Sequence, residues 1–155
     1  MNKILLCLIA TMFGTAGIVS VTGQEVAGLA ASPVIIAPPQ TPLARTIKAG
    51  LSAAYYGSTK QGAAYSEAQR LYFFYGSRHF EPIWLDTAAN GDVQFSEPAL
   101  KILQLFEAAA SQGLRPRDYL TPDLDPAGAQ GDPIKLAALE TAFSGATLRY
   151  ANHIY

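Results

Sequence analysis

Cysteine is almost missing from this chain: of 155 residues only Cys7 is one, and it lies inside an apolar run at the start. Histidine is nearly as scarce, with only His79 and His153. These two shortages exclude much chemistry. A zinc centre needs three or four converging ligands, and two distant histidines without a His-x-x-x-His spacing do not supply them. Serine hydrolases want a Gly-x-Ser-x-Gly elbow, which is absent, and no glycine-rich phosphate loop is present either. Basic residues are spread thinly against twelve Asp and Glu, giving a net charge of -1. No stripe or run of Lys and Arg marks a nucleic-acid surface, so nucleic acid is not an expected partner. Strand-like alternation is also scarce, which leaves a small helical assembly as the expected fold.

What is present begins with an export signature. Met1-Asn2-Lys3 is a short positive start, residues 4–21 are apolar apart from small and hydroxyl side chains, and Val21-Thr22-Gly23 offers small residues for cleavage. Residues 1–23 therefore read as a secretory signal peptide and the mature protein as periplasmic. An uncleaved anchor is the alternative, whereas a lipoprotein would need its cysteine just after the run. Cleavage after Gly23 removes Cys7, so the mature chain has no disulfide, no thiolate nucleophile and no thiolate metal ligand.

Residues 24–41 read as a flexible linker, rich in Ala and Pro with Glu25 as the one charge. Residues 42–155 read as a single mainly α domain of about four helices. Thr41-Pro42 caps the first, with Leu43, Ile47, Leu51 and Ala54 at helical spacing and Gly57 as its stop. Ser66 and Gln69 form a capping-box pattern for the second, which runs through Leu71, Phe74 and Tyr75 to Gly76. Ser96 caps the third, Phe95 is placed to staple onto Leu100, and Leu100, Leu103, Phe106 and Ala110 share one face up to a Gly113-Leu114 stop. Asp132-Pro133 opens the fourth, with Leu136, Leu139, Phe143, Ala146 and Tyr150 as its stripe. That pattern is still running at Tyr155, which sets the expectation that the natural sequence continues.

Two groups of residues invite chemistry. Carboxylates are scattered: Glu67, Glu81, Asp86, Asp92, Glu97, Glu107 and Glu140, with Asp118, Asp123, Asp125 and Asp132 at turns or helix starts where Asp is favoured anyway. A muramidase-type site would need two of them facing across a cleft. The aromatics Tyr72, Phe73, Phe74, Tyr75, Phe80 and Trp84 crowd into thirteen positions. They suit a packed core corner, or a docking surface for another domain or a glycan-peptide strand.

Tyr75-Gly76-Ser77-Arg78-His79-Phe80-Glu81-Pro82-Ile83-Trp84 resembles the Tyr-x-x-Arg-x-Phe/Tyr-x-Pro-x-Trp signature near the start of large periplasmic L,D-transpeptidases. The resemblance continues through Gln112-Gly113-Leu114-Arg115-Pro116-Arg117-Asp118-Tyr119 and through Ala138-Leu139-Glu140 to Thr147-Leu148-Arg149-Tyr150, covering residues 66–155 in order. It implies a helical scaffold domain ahead of a YkuD-type catalytic domain that cross-links peptidoglycan stem peptides through a cysteine thiolate. The family's Ser-His-Gly-Cys-x-Arg motif has no match here, so the resemblance implies no catalytic residue and no cofactor in this chain. It implies that Arg78, Pro82 and Trp84 hold a turn. The expected partner is the catalytic domain, in the same chain if the sequence continues, with peptidoglycan as a further candidate. The other reading is a stand-alone, non-enzymatic envelope protein.

Overall fold

The computed structural model describes residues 34–121 and 124–154. The proposed signal peptide, Cys7, the linker up to residue 33, Pro122, Asp123 and Tyr155 lie outside them. Four α-helices and one small hairpin make up the described fold: α1 (Pro42–Gly57), α2 (Ala63–Gly76), β1 (Leu85–Thr87), β2 (Val93–Phe95), α3 (Glu97–Glu107) and α4 (Pro133–Ile154). Three short 3-10 turns fill the path between α3 and α4. The fold is mainly α, as the periodicities indicate. No helix among the described residues is long and apolar enough to cross a membrane.

Local chemistry sets the helix starts. The Thr41 side chain accepts a hydrogen bond from the Ala44 amide at 3.2 Å, with Pro42 in the first turn where its missing N–H costs nothing. Ser96 likewise accepts from the Ala99 amide, and Asp132 Oδ1 accepts from the Ile134 and Lys135 amides at 3.0 and 3.1 Å. The 3-10 turn Ala108–Gln112 that extends α3 ends in a Schellman stop: Gly113 has φ 75°, and the Leu114 amide donates to the Ala109 carbonyl at 3.1 Å.

Several sequence expectations are corrected. Helix α2 starts one turn early, at Ala63 after Gly62 with φ 91°, so Ser66 is inside the helix and not its cap. Its hydroxyl donates back to the Gly62 carbonyl at 3.2 Å. The buried face of α3 is Ala99, Ile102 and Phe106, continued by Ala109 in the 3-10 turn that follows; it is rotated from the expected stripe, leaving Ala110 of that turn exposed and Leu100 49% exposed. The reason is Phe95, which belongs to β2 and turns its ring to Phe143 (centroids 5.3 Å apart) instead of stapling Leu100. The hairpin itself was not expected: β1 and β2 pair antiparallel with Leu85 opposite Phe95, and Gly91 at φ 90° makes the connection possible. On α1, Ala44, Ile47 and Leu51 are buried while Ala54 is exposed.

Helix α4 is the axis of the molecule. Its expected stripe is buried, with Leu136, Leu139, Phe143, Ala146 and Tyr150 all in the core, but so are Ala137, Glu140, Ser144, Thr147 and Leu148 on other sides. One face meets Trp84, Ile102, Phe106 and Tyr119. On another, Leu148 and Ala137 join Ile47, Leu51, Leu71, Tyr75 and Phe80 from α1, α2 and the turn after it. A helix enclosed in this way must find partners for any polar side chain it carries inward.

The segment before α1 is held as well. The Ala37 amide donates to the Gly76 carbonyl at 2.8 Å, and Thr41 donates to Glu81 Oε2 at 3.0 Å. A Cβ on Gly76 would stand 2.5 Å from Ile36 Cδ1, so glycine there lets the strap lie against the end of α2.

Candidate functional site: a buried polar clasp on the turn after α2

Between α2 and β1 the chain reverses through residues whose backbone is unusual. His79 and Phe80 both have positive φ, 62° and 60°, a conformation that side-chain-bearing residues rarely adopt and that costs each of them about 1 kcal/mol or more. The turn is held from three directions. The Phe80 amide donates to the Tyr75 carbonyl at 2.7 Å, the Phe80 ring is fully buried, and His79 Nδ1 meets the Pro38 carbonyl at 2.9 Å. Because both a ring and a histidine are pinned, the strained backbone is over-determined by its surroundings.

Four side chains then lock this turn to α4. Glu140, with no exposed surface, accepts from the Tyr75 hydroxyl at 2.6 Å and from the Ile83 amide at 2.8 Å. The Trp84 amide shares its hydrogen between the two carboxylate oxygens at 3.3 and 3.2 Å. Trp84 Nε1 donates to Ser144 Oγ at 2.7 Å, and Ser144 lies 2.7 Å from the Tyr75 hydroxyl. Proton counting fixes the direction of the last bond. Tyr75 has one hydroxyl proton and gives it to Glu140, so Ser144 donates to Tyr75. The relay runs from the indole through Ser144 and Tyr75 to the carboxylate, and every buried polar atom in it has a partner.

The electrostatics follow from the burial. Desolvation raises the Glu140 carboxyl above its ordinary range, although the Tyr75 hydroxyl, the Ile83 and Trp84 amides and the charge of Arg78 all work the other way. The Tyr75 phenol is pushed well up by burial first and by the Glu140 charge second.

Glu140 is closed off by its donors, so it has no open face toward a substrate, which acid–base chemistry requires. Among the described residues no other carboxylate hydrogen-bonds into the network, and the paired-carboxylate arrangement of a glycosidase is not formed around it. His79 and His153 go to separate places: His153 Nδ1 meets the Tyr119 hydroxyl at 2.6 Å near the end of α4. Among the described residues no group of His, Cys, Asp or Glu is arranged to hold a metal ion. Of the three residues expected to hold the turn, Trp84 does so directly. Arg78 lies exposed over the Phe74 ring at 5.7 Å and contributes through its charge, while Pro82 is half-buried. The aromatic group divides: Tyr72, Tyr75, Phe80 and Trp84 are core, Phe73 and Phe74 half-buried.

Sequence reasoning missed Glu140 and Ser144 as a functional pair. A signal existed. The helical neighbours of Glu140 at three and four residues are Leu136, Ala137, Phe143 and Ser144, so no cation is placed to partner it on an exposed face.

A family model described as a scaffold domain matches residues 69–155. The chain belongs to the scaffold domain family. The matched part of the scaffold domain opens inside α2 and contains the whole clasp: Tyr75, the strained turn, Trp84, Glu140 and Ser144. Helix α1 precedes the match, yet Ala44, Ile47 and Leu51 close the core that α2 and α4 leave open. No curated protein and no solved structure matches the chain.

Proposed function

We propose that this scaffold domain is the non-catalytic helical body of a peptidoglycan L,D-transpeptidase, exported to the periplasm, against which a YkuD-type catalytic domain packs. The observation that carries the reading is the clasp. The Tyr75-to-Trp84 stretch that resembles the transpeptidase signature, with its strained backbone, is the stretch that α4 grips through Glu140 and Ser144. A motif used to fix the relative position of helices is what a supporting body needs, because a partner domain can be oriented only by a rigid surface. The thiolate chemistry belongs to the partner, since Cys7 lies in the proposed signal peptide.

Removing the coding region for residues 42–154 in the native host is expected to lower cross-links formed through the third residue of the donor stem to background, as measured by mass spectrometry of digested peptidoglycan. Unchanged levels of those cross-links would remove the support for a transpeptidase role.

A further inference from the structure

Asn90 is the one asparagine of the chain that glycine follows; Asn2 precedes Lys3 and Asn152 precedes His153. It stands with Gly91 at the exposed tip of the β1–β2 hairpin. Gly91 brings no side chain to shield its own nitrogen, so that nitrogen is well placed to attack the neighbouring carboxamide. In the folded hairpin both reacting groups are engaged. The Gly91 N–H donates to the Ala88 carbonyl at 2.9 Å. Asn90 Oδ1 accepts from the Asp92 amide at 3.1 Å, and Asn90 Nδ2 donates to Asp92 Oδ2 at 2.6 Å. The Ala88 amide closes the base of the tip, 2.8 Å from the Asp92 carbonyl. Strand β2 is also clamped from its other edge, where the Val93 amide donates to Gln130 Oε1 at 3.0 Å. The ladder is only three residues long on each side. So short a hairpin opens locally more readily than the core unfolds.

We propose that Asn90 is a site of spontaneous deamidation, gated by opening of this hairpin. The reaction needs only the chain and water. The Gly91 nitrogen loses its proton to solvent and attacks Asn90 Cγ. The N–Cγ bond forms, the Cγ–Nδ2 bond breaks, and Nδ2 takes up a proton and leaves as ammonia. Water then opens the cyclic imide. Cleavage at Cγ leaves aspartate, while cleavage at the main-chain carbonyl leaves isoaspartate, in which the backbone runs through the former side chain. The first product adds a charge beside Asp92. The second also lengthens the main chain inside the turn, which a hairpin with Leu85 fixed opposite Phe95 cannot absorb without slipping. The strain reaches the core because the hairpin joins Trp84 to Ser96. The Ser96 amide donates to the Trp84 carbonyl at 2.8 Å, and its hydroxyl to the Ile83 carbonyl at 2.7 Å. The isoaspartyl chain is therefore a less stable, aged form of the domain.

The test incubates the full chain at mildly alkaline pH, folded in buffer and unfolded in guanidinium chloride. Peptide mass spectrometry follows Asn90, and enzymatic carboxyl methylation scores isoaspartate. The unfolded chain is expected to convert at Asn90 with isoaspartate among the products, and the folded chain about tenfold or more slowly. Replacing the exposed Gln130 by alanine removes the clamp on Val93. It should speed conversion of the folded chain and leave the rate in denaturant unchanged. The isoaspartyl chain should melt at a lower temperature than Asn90→Asp, which carries the charge without the longer backbone. No conversion at Asn90 in denaturant, equal rates in buffer and denaturant, or a folded Gln130→Ala rate equal to the parent's would each overturn the proposal. An isoaspartyl chain that melts with Asn90→Asp would overturn the strain assigned to the turn.

Discussion

Replacing Glu140 by alanine is expected to unfold the domain or bring it to the edge of unfolding. The substitution leaves the Tyr75 hydroxyl and the Ile83 and Trp84 amides buried without their acceptor. Each buried orphan costs about 1–3 kcal/mol, so the loss is about 4–6 kcal/mol after relief of the buried charge returns part of it. A domain of this size has only about 5–15 kcal/mol in total. Glu140→Gln should cost less, about 1–2 kcal/mol, because the amide oxygen still accepts while its NH2 faces a Trp84 N–H. Urea denaturation followed by circular dichroism measures both. The same carboxyl sets a pH dependence. Its folded pKa is raised, so the native state holds more protons than the unfolded state between the unfolded value and the raised one. Stability therefore falls as pH rises through that window and is flat above it, and Glu140→Gln removes the slope. A parent protein whose stability rises with pH through this window, with a slope that Glu140→Gln abolishes, would reverse the sign assigned to this residue.

Trp84→Ala should cost about 3–5 kcal/mol, the usual loss when a large ring leaves a cavity in a closed core. Trp84 is fully buried, 4.9 Å from the Phe143 ring, and its indole N–H is the first donor of the relay. Trp84→Phe separates the two contributions. It retains most of the volume and loses the N–H, leaving Ser144 without its donor, for about 1–2 kcal/mol. In a Trp84→Phe and Ser144→Ala cycle the two effects should be strongly non-additive. Equal stability of Trp84→Phe and parent would mean that the indole acts through packing and that its hydrogen bond adds nothing.

The difference between what the residues announce and what they conceal is a difference of range. Thr41, Ser96, Asp132 and Gly113 act within four residues of themselves, so the ends of α1, α3 and α4 are legible from short patterns. The α4 stripe is legible for the same reason. The partners of Glu140 are not, because Tyr75, Ile83 and Trp84 lie 65, 57 and 56 positions away. The strands of the hairpin are three residues each, too short for alternation to show, and only Asn90-Gly91 marks their turn. Leu100 misled by its size: a leucine at helical spacing is a reasonable core residue until Phe95 is committed elsewhere. Ser66 and Gln69 form a true capping pattern in a place where Gly62 had already started the helix. The strain at His79 and Phe80 has no local signature, since nothing in an Arg-His-Phe-Glu sequence announces a left-handed turn.

The account stands most directly on association with a catalytic domain. The folded chain and a separately purified YkuD-type domain from the same organism, with its cysteine motif intact, would be mixed and followed by analytical ultracentrifugation and calorimetry. The account predicts a one-to-one complex that forms with the parent and is lost in Glu140→Ala. A folded parent chain that shows no association at any accessible concentration would contradict it.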